Sequence, residues 1–222
     1  MAKRLHDKFA VIVGAGQTPG DTIGNGRAAA ILFAREGASV VCVDRNLASA
    51  EETVAMIRKE GGRATAFEAD ITREQDCHAF AQAALAAYGR IDVLHNNVGI
   101  GGGDAGPTHL TEEVLQRILD VNLKGTLFSC KHVLPIMRKQ LSGSIINISS
   151  VAAVCSVGIV AYKASKAAVN ALTHSIAIGN ARYGIRANVI MPGLMNTPMA
   201  IEGISSARGI SKEELIAERN AR

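Results

Sequence analysis

Short strand-like runs alternate with longer helical stretches along the whole chain, and this alternation constrains the fold more than any other feature. The runs are FAVIV (9–13), SVVCVD (39–44), RATAFEAD (63–70), IDVLHNN (91–97), GSIINISS (143–150) and RANVIM (186–191). Apolar strands separated by helices are typical of a parallel sheet that is covered on both faces. With right-handed crossovers, they predict one α/β domain with a doubly wound, Rossmann-like sheet.

Composition and charge narrow the class of protein. The 222 residues carry a formal net charge of +4, and the basic residues are scattered, so no nucleic-acid partner is expected. The apolar runs are too short to span a membrane, and the six histidines lack metal-ligand spacing, so neither a membrane span nor a metal site is expected. Four widely separated cysteines indicate reduced core thiols of a cytoplasmic protein: Cys42, Cys77, Cys130 and Cys155.

A glycine-rich loop, GAGQTPGDTIGNG (14–26), follows the first strand-like run and leads into a helical stretch. Glycine at such a turn lets the backbone approach a pyrophosphate, and the N-terminus of the next helix contributes favourable partial charge. The candidate cofactor-binding glycines are Gly14, Gly16, Gly24 and Gly26. More residues separate them than a dinucleotide-binding turn needs, so a flexible loop that binds nothing is the alternative.

The second strand-like run ends in Asp44, at about the distance where an acidic residue meets the adenosine ribose in dinucleotide-binding folds. A carboxylate accepts hydrogen bonds from the ribose hydroxyls and repels a 2′-phosphate. The position therefore favours NAD over NADP. The neighbouring Arg45 could soften that preference, and an acid that merely ends a turn is the other interpretation of Asp44.

Tyr162 and Lys166 are four residues apart in AYKASKAAV, which places them on one face of a predicted helix. A nearby ammonium stabilises a phenolate, so we expect Lys166 to lower the pKa of Tyr162 from about 10 and allow proton exchange near neutral pH. A serine at the end of the fifth run, Ser149 or Ser150, can hydrogen-bond a substrate oxygen. Asn122 lies mid-helix, where asparagine is unfavourable, and this indicates a hydrogen-bonding role.

Taken in order, these residues resemble the short-chain dehydrogenase/reductase family, and the resemblance extends from Lys8 to about Met199. Each motif is weak alone, but their joint occurrence in the expected order is specific. The matching positions are the glycine loop, Asp44, Asp70-Ile71, Asn96-Asn97-Val98-Gly99, Asn122, the serine after the fifth strand, Tyr162 with Lys166, and Pro192-Gly193.

The resemblance implies a role for each matching residue. Tyr162 would be the general acid/base, Lys166 would lower its pKa and hold the nicotinamide ribose, and Ser150 would position the substrate oxygen. Asn122 would hold a water that connects Lys166 to solvent. The further implied contacts to NAD are Asp70 and Ile71 at the adenine, Asn97 and Gly99 near the adenosine-side ribose, and Pro192, Gly193 and Thr197 around the nicotinamide amide.

The glycine loop departs from the family pattern in length. Gly14 precedes Gly24 by ten residues instead of four, so Gly24, Asn25 and Gly26 match the later part of the family's loop. The segment QTPGDT (17–22) is then an insertion that turns at its proline and glycine. We expect it to lie over or beside the pyrophosphate.

The serine spacing also departs from the family pattern. Ser150 is one residue closer to Tyr162 than the family's serine is, whereas Ser149 has the usual spacing. The family's catalytic serine is normally the second of such a pair, which favours Ser150. Because a one-residue shift reverses the direction of a strand side chain, only one of the two can face the site.

The chain ends before the helix and seventh strand with which the family usually closes its sheet. We therefore expect six strands in the order 3-2-1-4-5-6, a missing seventh strand, and a natural chain that continues beyond Arg222. Residues 1–222 form one cofactor-binding and catalytic domain, whose polar tail 199–222 matches the family's mobile lid. Helices 111–137 and 161–183 match the family's dimer faces, so light scattering should show a homodimer or homotetramer.

These expectations describe an NAD-dependent oxidoreductase that interconverts a secondary alcohol and a ketone by hydride transfer. Segment 151–160, Met195 and Met199 are apolar or small, which favours a small neutral substrate. Two alternatives stay open. One is an NADPH-dependent 3-oxoacyl reductase, against which Asp44 argues; the other is a catalytically silent nucleotide-sensing protein of the same fold, which would bind cofactor without turnover.

Overall fold

The computed structural model describes residues 3–155 and 158–220, and its elements follow the predicted alternation. The strands are β1 (Phe9–Val13), β2 (Ser39–Asp44), β3 (Arg63–Glu68), β4 (Val93–Asn96), β5 (Gly143–Ile148) and β6 (Ile185–Ile190). The helices are α1 (Asn25–Arg35), α2 (Leu47–Lys59), α3 (Glu74–Tyr88), α4 (Glu112–Leu119), α5 (Gly125–Gln140), α6 (Ala161–Asn180), α7 (Pro198–Arg208) and α8 (Lys212–Asn220). A π-helical turn, Asp120–Lys124, joins α4 to α5, and 3₁₀ turns lie at Val151–Ala153 and Ala181–Tyr183.

All six strands form one parallel sheet in the order β3-β2-β1-β4-β5-β6, which confirms the predicted α/β, Rossmann-like topology. Strand β1 pairs with β2 on one side, where Val13 is opposite Val43, and with β4 on the other, where Val13 is opposite Asn96. The strand order reverses between β1 and β4, so a crevice opens there at the carboxyl ends of the strands. The loops that carry the predicted cofactor-binding residues leave the sheet at this edge.

Alternate strand residues fill two apolar clusters, one on each face of the sheet. Val11 and Val13 face the side covered by α3, α5 and α6, whereas Ala10 and Ile12 face the side covered by α1 and α2. Phe80 of α3 is the largest of the fully buried side chains. Burying a side chain of this kind contributes roughly 1.5–3 kcal/mol, so the two clusters hold sheet and helices together as one domain.

Two long helices differ in detail from the expectation. The helix predicted for 111–137 extends to Gln140 and contains the π turn, which inserts one residue into the helical repeat. The helix predicted for 161–183 ends at Asn180 and continues as a 3₁₀ turn. The tail forms α7 and α8, and residues 221–222 of the expected lid lie outside the described part of the chain.

Three of the four cysteines are buried, as expected. Burial raises the pKa of Cys42 and Cys130 to about 12 and that of Cys77 to about 11, so these thiols stay protonated. The expectation for Cys155 is wrong: this residue is exposed, because it lies in the loop that follows β5 rather than in a strand or helix.

Within residues 3–155 and 158–220, no helix combines the length and hydropathy that crossing a bilayer requires. The same residues contain no group of three or more His, Cys, Asp or Glu placed to hold a metal ion.

Candidate active site

Close contacts at the carboxyl end of β1 require three glycines. Gly14 adopts a φ of +80°, which disfavours other residues, and a Cβ there would lie 2.9 Å from Val98 Cγ2. A Cβ on Gly16 would lie 2.9 Å from the Asp44 carboxylate, and one on Gly26 only 1.8 Å from the Gly14 carbonyl oxygen. The first turn of α1 therefore approaches the end of β1 as closely as a phosphate-binding turn needs.

The inserted segment 17–22 is closed on itself by Gln17, a residue whose role sequence reasoning missed. The Gln17 side-chain oxygen accepts the Gly24 N–H at 2.9 Å, and the side-chain amide donates to the Thr22 carbonyl at 3.4 Å. The Gln17 backbone N–H donates to Ser49 Oγ at 2.9 Å. These bonds bring the start of α1 beside β1 despite the six extra residues. No sequence pattern signals them.

The insertion also contacts the tail. Lys212 of α8 pairs with Asp21 at 3.0 Å and with Glu202 of α7 at 2.7 Å. A Cβ on Gly20 would lie 2.8 Å from Glu202 Oε1 and 2.9 Å from Pro198 Cβ, so the insertion packs directly on α7. The segment expected near the pyrophosphate thus also holds the tail in place.

Asp44 directs its carboxylate at the turn after β1, residues 14–16, which is the glycine turn. Oδ2 accepts the Gly16 N–H and Oδ1 accepts the Asn46 N–H, both at 3.0 Å. A carboxylate has about four lone-pair positions, so about two remain for hydroxyl donors. Arg45, the next residue, also lines the cavity beside them.

A cavity of about 640 Å³ runs along the carboxyl ends of the strands. Its size lies in the range of about 300–1,000 Å³ that is common for small-molecule sites. The glycine turn and Asp44 line it near β1 and β2, while Tyr162 and Lys166 line it near β5, an arrangement that fits a dinucleotide. The predicted residues in its wall are Gly14, Gly16, Gly24, Asn25, Gly26, Asp44, Asp70, Ile71, Asn97, Gly99, Ser150, Tyr162, Lys166, Pro192, Gly193 and Thr197.

Five of the predicted cofactor contacts lie on the loops after β4 and β6, namely Asn97, Gly99, Pro192, Gly193 and Thr197. Asn97 Nδ2 donates to the Gly14 carbonyl at 3.4 Å, which ties the end of β4 to the glycine turn. The Pro192 carbonyl accepts the Val151 N–H at 3.1 Å, so the loop after β6 is fixed to the loop after β5. Thr197 is buried and occupies the N-cap position of α7, where the tail begins.

Asn122 lies in the π turn and is fully buried beneath the cavity, not in its wall. Its side-chain oxygen accepts the Ile100 N–H at 2.8 Å, and its amide donates to the Ile100 carbonyl and to Ser165 Oγ, both at 2.9 Å. The side chain therefore holds the loop after β4 against α6. Both amide hydrogens of Asn122 already donate hydrogen bonds. A water molecule beside this side chain could therefore only donate a hydrogen bond to the Asn122 amide oxygen.

Tyr162, Lys166 and Ser150 come together in the wall of the cavity. The Ser150 side chain lies near enough to the Tyr162 hydroxyl to lower the pKa of that phenol, and Lys166 Nζ lies 5.8 Å from the centre of the Tyr162 ring. The Lys166 ammonium donates to the Ile148 carbonyl at 2.8 Å. A Cβ on Gly99 would lie 2.8 Å from Lys166 Nζ, so this glycine leaves room for the ammonium group.

Ser149 is directed away from this group. Its hydroxyl is buried and donates to the Lys166 carbonyl of α6 at 2.9 Å. Successive residues of an extended chain point to opposite sides, which is why only Ser150 reaches Tyr162. The geometry therefore favours Ser150 over Ser149 for contact with a substrate oxygen.

The expectation that Lys166 lowers the pKa of Tyr162 does not hold for the chain alone. Burial raises the pKa of Tyr162 above 10, and the hydrogen bond with Ser150 lowers it only in part. Burial also lowers the pKa of Lys166 from 10.5 to about 8. In the chain alone, burial of the phenol therefore outweighs the groups beside it.

Comparison with known proteins shows the family of the chain. A sequence profile described as short chain dehydrogenase matches residues 8–206. The chain belongs to the short-chain dehydrogenase family. Members of this family are NAD(P)-dependent oxidoreductases that act on CH–OH groups, and the chain is therefore an enzyme of this class.

Individual relatives match most of the chain. The "uncharacterized oxidoreductase YxbG" of Bacillus subtilis (strain 168) is 39% identical over 214 residues, which cover 96% of this chain and 74% of the relative. A cyclohexanol dehydrogenase of Acinetobacter sp. (strain SE19) is 34% identical over 203 residues, covering 91% and 78%. The crystal structure of an NAD⁺-bound xylitol dehydrogenase is 33% identical with a TM-score of 0.81, covering 86% and 72%.

The raised pKa of Tyr162 can be measured directly. Alkaline titration of the cofactor-free chain, followed by the near-ultraviolet absorbance of phenolate, should show Tyr162 ionising above pH 10, because burial disfavours the anion. The chain has three tyrosines and no tryptophan, so subtracting the titration of Tyr162→Phe isolates this group. Circular dichroism controls for unfolding. A midpoint below 10 would show that Lys166 outweighs burial.

Proposed function

We propose that this member of the family is an NAD-dependent dehydrogenase that interconverts a small neutral secondary alcohol and its ketone. One observation carries the proposal: Ser150 and Tyr162 line the cavity as neighbours, with the Ser150 side chain near enough to lower the pKa of the phenol, and Lys166 lines it beside them. A substrate oxygen beside the two hydroxyls can bond to both. The arrangement is suited to holding a C–O group and moving one proton at its oxygen.

A nicotinamide cofactor held in the cavity would take up or supply the hydride at the substrate carbon. In oxidation, Tyr162 takes the hydroxyl proton of the alcohol; in reduction, it returns a proton to the ketone oxygen. The hydrogen bond of Ser150 to Tyr162 lowers the pKa of the phenol, so Ser150 both orients the substrate and eases this transfer. Lys166 is mostly charged at neutral pH, because its pKa is about 8, and we assign it to the nicotinamide ribose.

The substrate end of the cavity is mainly apolar. Its lining includes Val151, Ala152, Ile159, Met195 and Met199. Residues 156 and 157 of the expected pocket segment lie outside the described residues. Arg219 of α8 also lines the cavity, but its guanidinium donates to the Met195 carbonyl at 2.9 Å and to Asn196 Oδ1 at 3.2 Å. Because most side chains at this end are apolar, we favour a neutral substrate, of the kind named for the cyclohexanol dehydrogenase relative.

Replacing the proposed general acid/base should separate chemistry from binding. Tyr162→Phe should lower kcat at least about 100-fold, because the proton has no acceptor in the transition state. Affinity for NADH should change about fivefold or less, since one hydrogen bond at most is lost. The assay uses NAD⁺ with a panel of neutral secondary alcohols that includes cyclohexanol, and affinity is measured by NADH fluorescence.

Tyr88→Phe, the same substitution at the end of α3, is the matched control and should keep wild-type turnover. Undiminished turnover in Tyr162→Phe would refute the assigned role. NADH binding by the wild type without turnover of any alcohol or ketone would instead favour the silent nucleotide-sensing protein.

The choice of NAD over NADP rests on the carboxylate of Asp44 at the adenosine end of the cavity. Two of its lone-pair positions hold the glycine turn and Asn46, and the others can accept from ribose hydroxyls. A 2′-phosphate at the same place would meet like charge. The related xylitol dehydrogenase structure holds NAD⁺, which supports the same choice here.

Wild-type chain should bind NADH about tenfold or more tightly than NADPH, and Asp44→Asn should bring the two dissociation constants closer together, because the substitution removes the repelling charge. The ratio of the two constants is the readout, since damage to the glycine turn weakens both. Tighter binding of NADPH than of NADH by the wild type would refute the choice of NAD. Arg45 would then be the residue that attracts the 2′-phosphate, and the 3-oxoacyl reductase would be favoured.

We also propose that the tail, residues 199–222, acts as a lid over the cavity. Residues of α7 and α8, among them Met199, Ile204 and Arg219, line the cavity. The ion pair of Lys212 with Asp21 joins that lid to the inserted segment, whereas the pair of Lys212 with Glu202 lies within the lid. Opening of the cavity therefore requires the exposed Lys212–Asp21 pair to break.

Removing the ion pair between the lid and the inserted segment should speed cofactor release. Lys212→Ala should raise the NADH dissociation rate about two- to fivefold, the modest effect expected of exposed ion pairs. Added salt should speed release from the wild type more than from the variant. Stopped-flow fluorescence measures both rates, and Lys59→Ala, an exposed lysine of α2, controls for net charge. Equal NADH dissociation rates in Lys212→Ala and wild type would refute the proposal that this ion pair holds the lid closed.

The proposal extends to assembly and location. Leu127 of α5 and Ile178 of α6 are exposed on the two helices that the family resemblance assigns to subunit contacts, which supports a homodimer or homotetramer. The buried, protonated thiols of Cys42, Cys77 and Cys130 support a reducing, cytoplasmic environment.

A further inference from the structure

Helix α6 carries Tyr162 and Lys166 but begins without a side-chain cap of its own. Its N-cap residue is Val160, whose side chain cannot accept a hydrogen bond. The first N–H groups of a helix have no partner within that helix. An uncapped start would leave the turn that contains Tyr162 free to fray.

Asp104, in the loop between β4 and α4, accepts these N–H groups. Its Oδ1 accepts the Val160 N–H at 3.3 Å and the Ala161 N–H at 3.1 Å, and its Oδ2 accepts the Tyr162 N–H at 2.7 Å. Hydrogen bonds to a carboxylate at the positive end of a helix are stronger than neutral ones. The shortest of the three bonds is the one to Tyr162 itself.

The loop that carries Asp104 is fixed by contacts on both sides. Asn122 binds the N–H and the carbonyl of Ile100, four residues before Asp104. A Cβ on Gly101 would lie 3.3 Å from Cδ2 of Tyr162, so the loop also packs against the tyrosine ring. Tyr162 is therefore held at its backbone and at its ring by one anchored loop.

We propose that Asp104 is a positioning residue for proton transfer at Tyr162. The inference rests on the proposed function, because it acts through the same tyrosine. Asp104 fixes the first turn of α6 so that the Tyr162 hydroxyl stays beside Ser150. The glycine turn and Asp44 lie at the other end of the cavity, so loss of Asp104 should lower kcat and leave the affinity for NADH nearly unchanged.

The test compares Asp104→Ala and Asp104→Asn with Thr111→Ala. Thr111 caps α4 by accepting the Val114 N–H, so its variant loses a helix cap at the far end of the same loop. Asp104→Ala should lower kcat about 10- to 100-fold, since a displacement of about 1 Å in a reacting group can cost that much. Asp104→Asn keeps one acceptor oxygen, so its kcat should lie between those of Asp104→Ala and wild type. Thr111→Ala should keep wild-type kcat.

Two readouts do not depend on turnover. Amide hydrogen exchange at residues 160–162 should accelerate in Asp104→Ala and stay slow in Thr111→Ala. The alkaline titration of Tyr162 should shift toward pH 10 in Asp104→Ala, because the removed anion and the looser packing both favour phenolate. Both readouts apply even to a wild type that turns over no alcohol or ketone, the outcome that refutes the proposed function.

Each outcome decides the role of Asp104. Unchanged exchange at residues 160–162 would refute the cap. Faster exchange with unchanged kcat would reduce Asp104 to a structural residue and overturn the proposal, as would an equal loss of kcat in Thr111→Ala. In a chain without turnover, an unshifted Tyr162 titration would overturn it. Faster exchange, a shifted titration and a graded loss of kcat at constant NADH affinity would establish the positioning role.

Discussion

The contact between the Gly26 backbone and the Gly14 carbonyl oxygen determines where the rest of the site can lie. The two residues approach so closely that no side-chain carbon fits between them. Asn97, at the end of β4, donates to the same carbonyl. The contact therefore joins the first strand–helix turn to the neighbouring strand at the point where the sheet reverses its strand order, and the cavity opens there. Every residue assigned to the cofactor lines that cavity.

The strand order could be predicted from the sequence because strands buried on both faces are visibly apolar and right-handed crossovers permit few topologies. The insertion could be located because matching glycines flank it. Its conformation could not be predicted, since it depends on Gln17 reaching Gly24 and on Lys212 reaching Asp21, 191 residues away. Local periodicity carries no information about such pairs.

Most residues of the cavity wall could be predicted as a set, but their hydrogen bonds could not. The position of Asn122 within a predicted helix indicated a hydrogen-bonding role. Its partners Ile100 and Ser165, however, belong to two other parts of the fold. Helical spacing placed Tyr162 and Lys166 on one face without showing that the ammonium donates to a carbonyl of β5. The pKa of Tyr162 moves opposite to the expectation for this reason: its direction depends on burial, which residue spacing does not report.

Burial of the charged Lys166 side chain lowers the free energy of unfolding of the chain. A pKa lowered from 10.5 to about 8 corresponds to about 3 kcal/mol of destabilisation below pH 8, relieved as the pH rises toward 10.5. Two long-range anchors oppose this destabilisation. Asp104, in the loop after β4, binds the start of the helix, and Asn122, in the π turn, binds Ser165 directly and also holds that loop at Ile100. The glycine turn therefore shapes the cavity at the end of β1, while the loop after β4 sets the position of Tyr162.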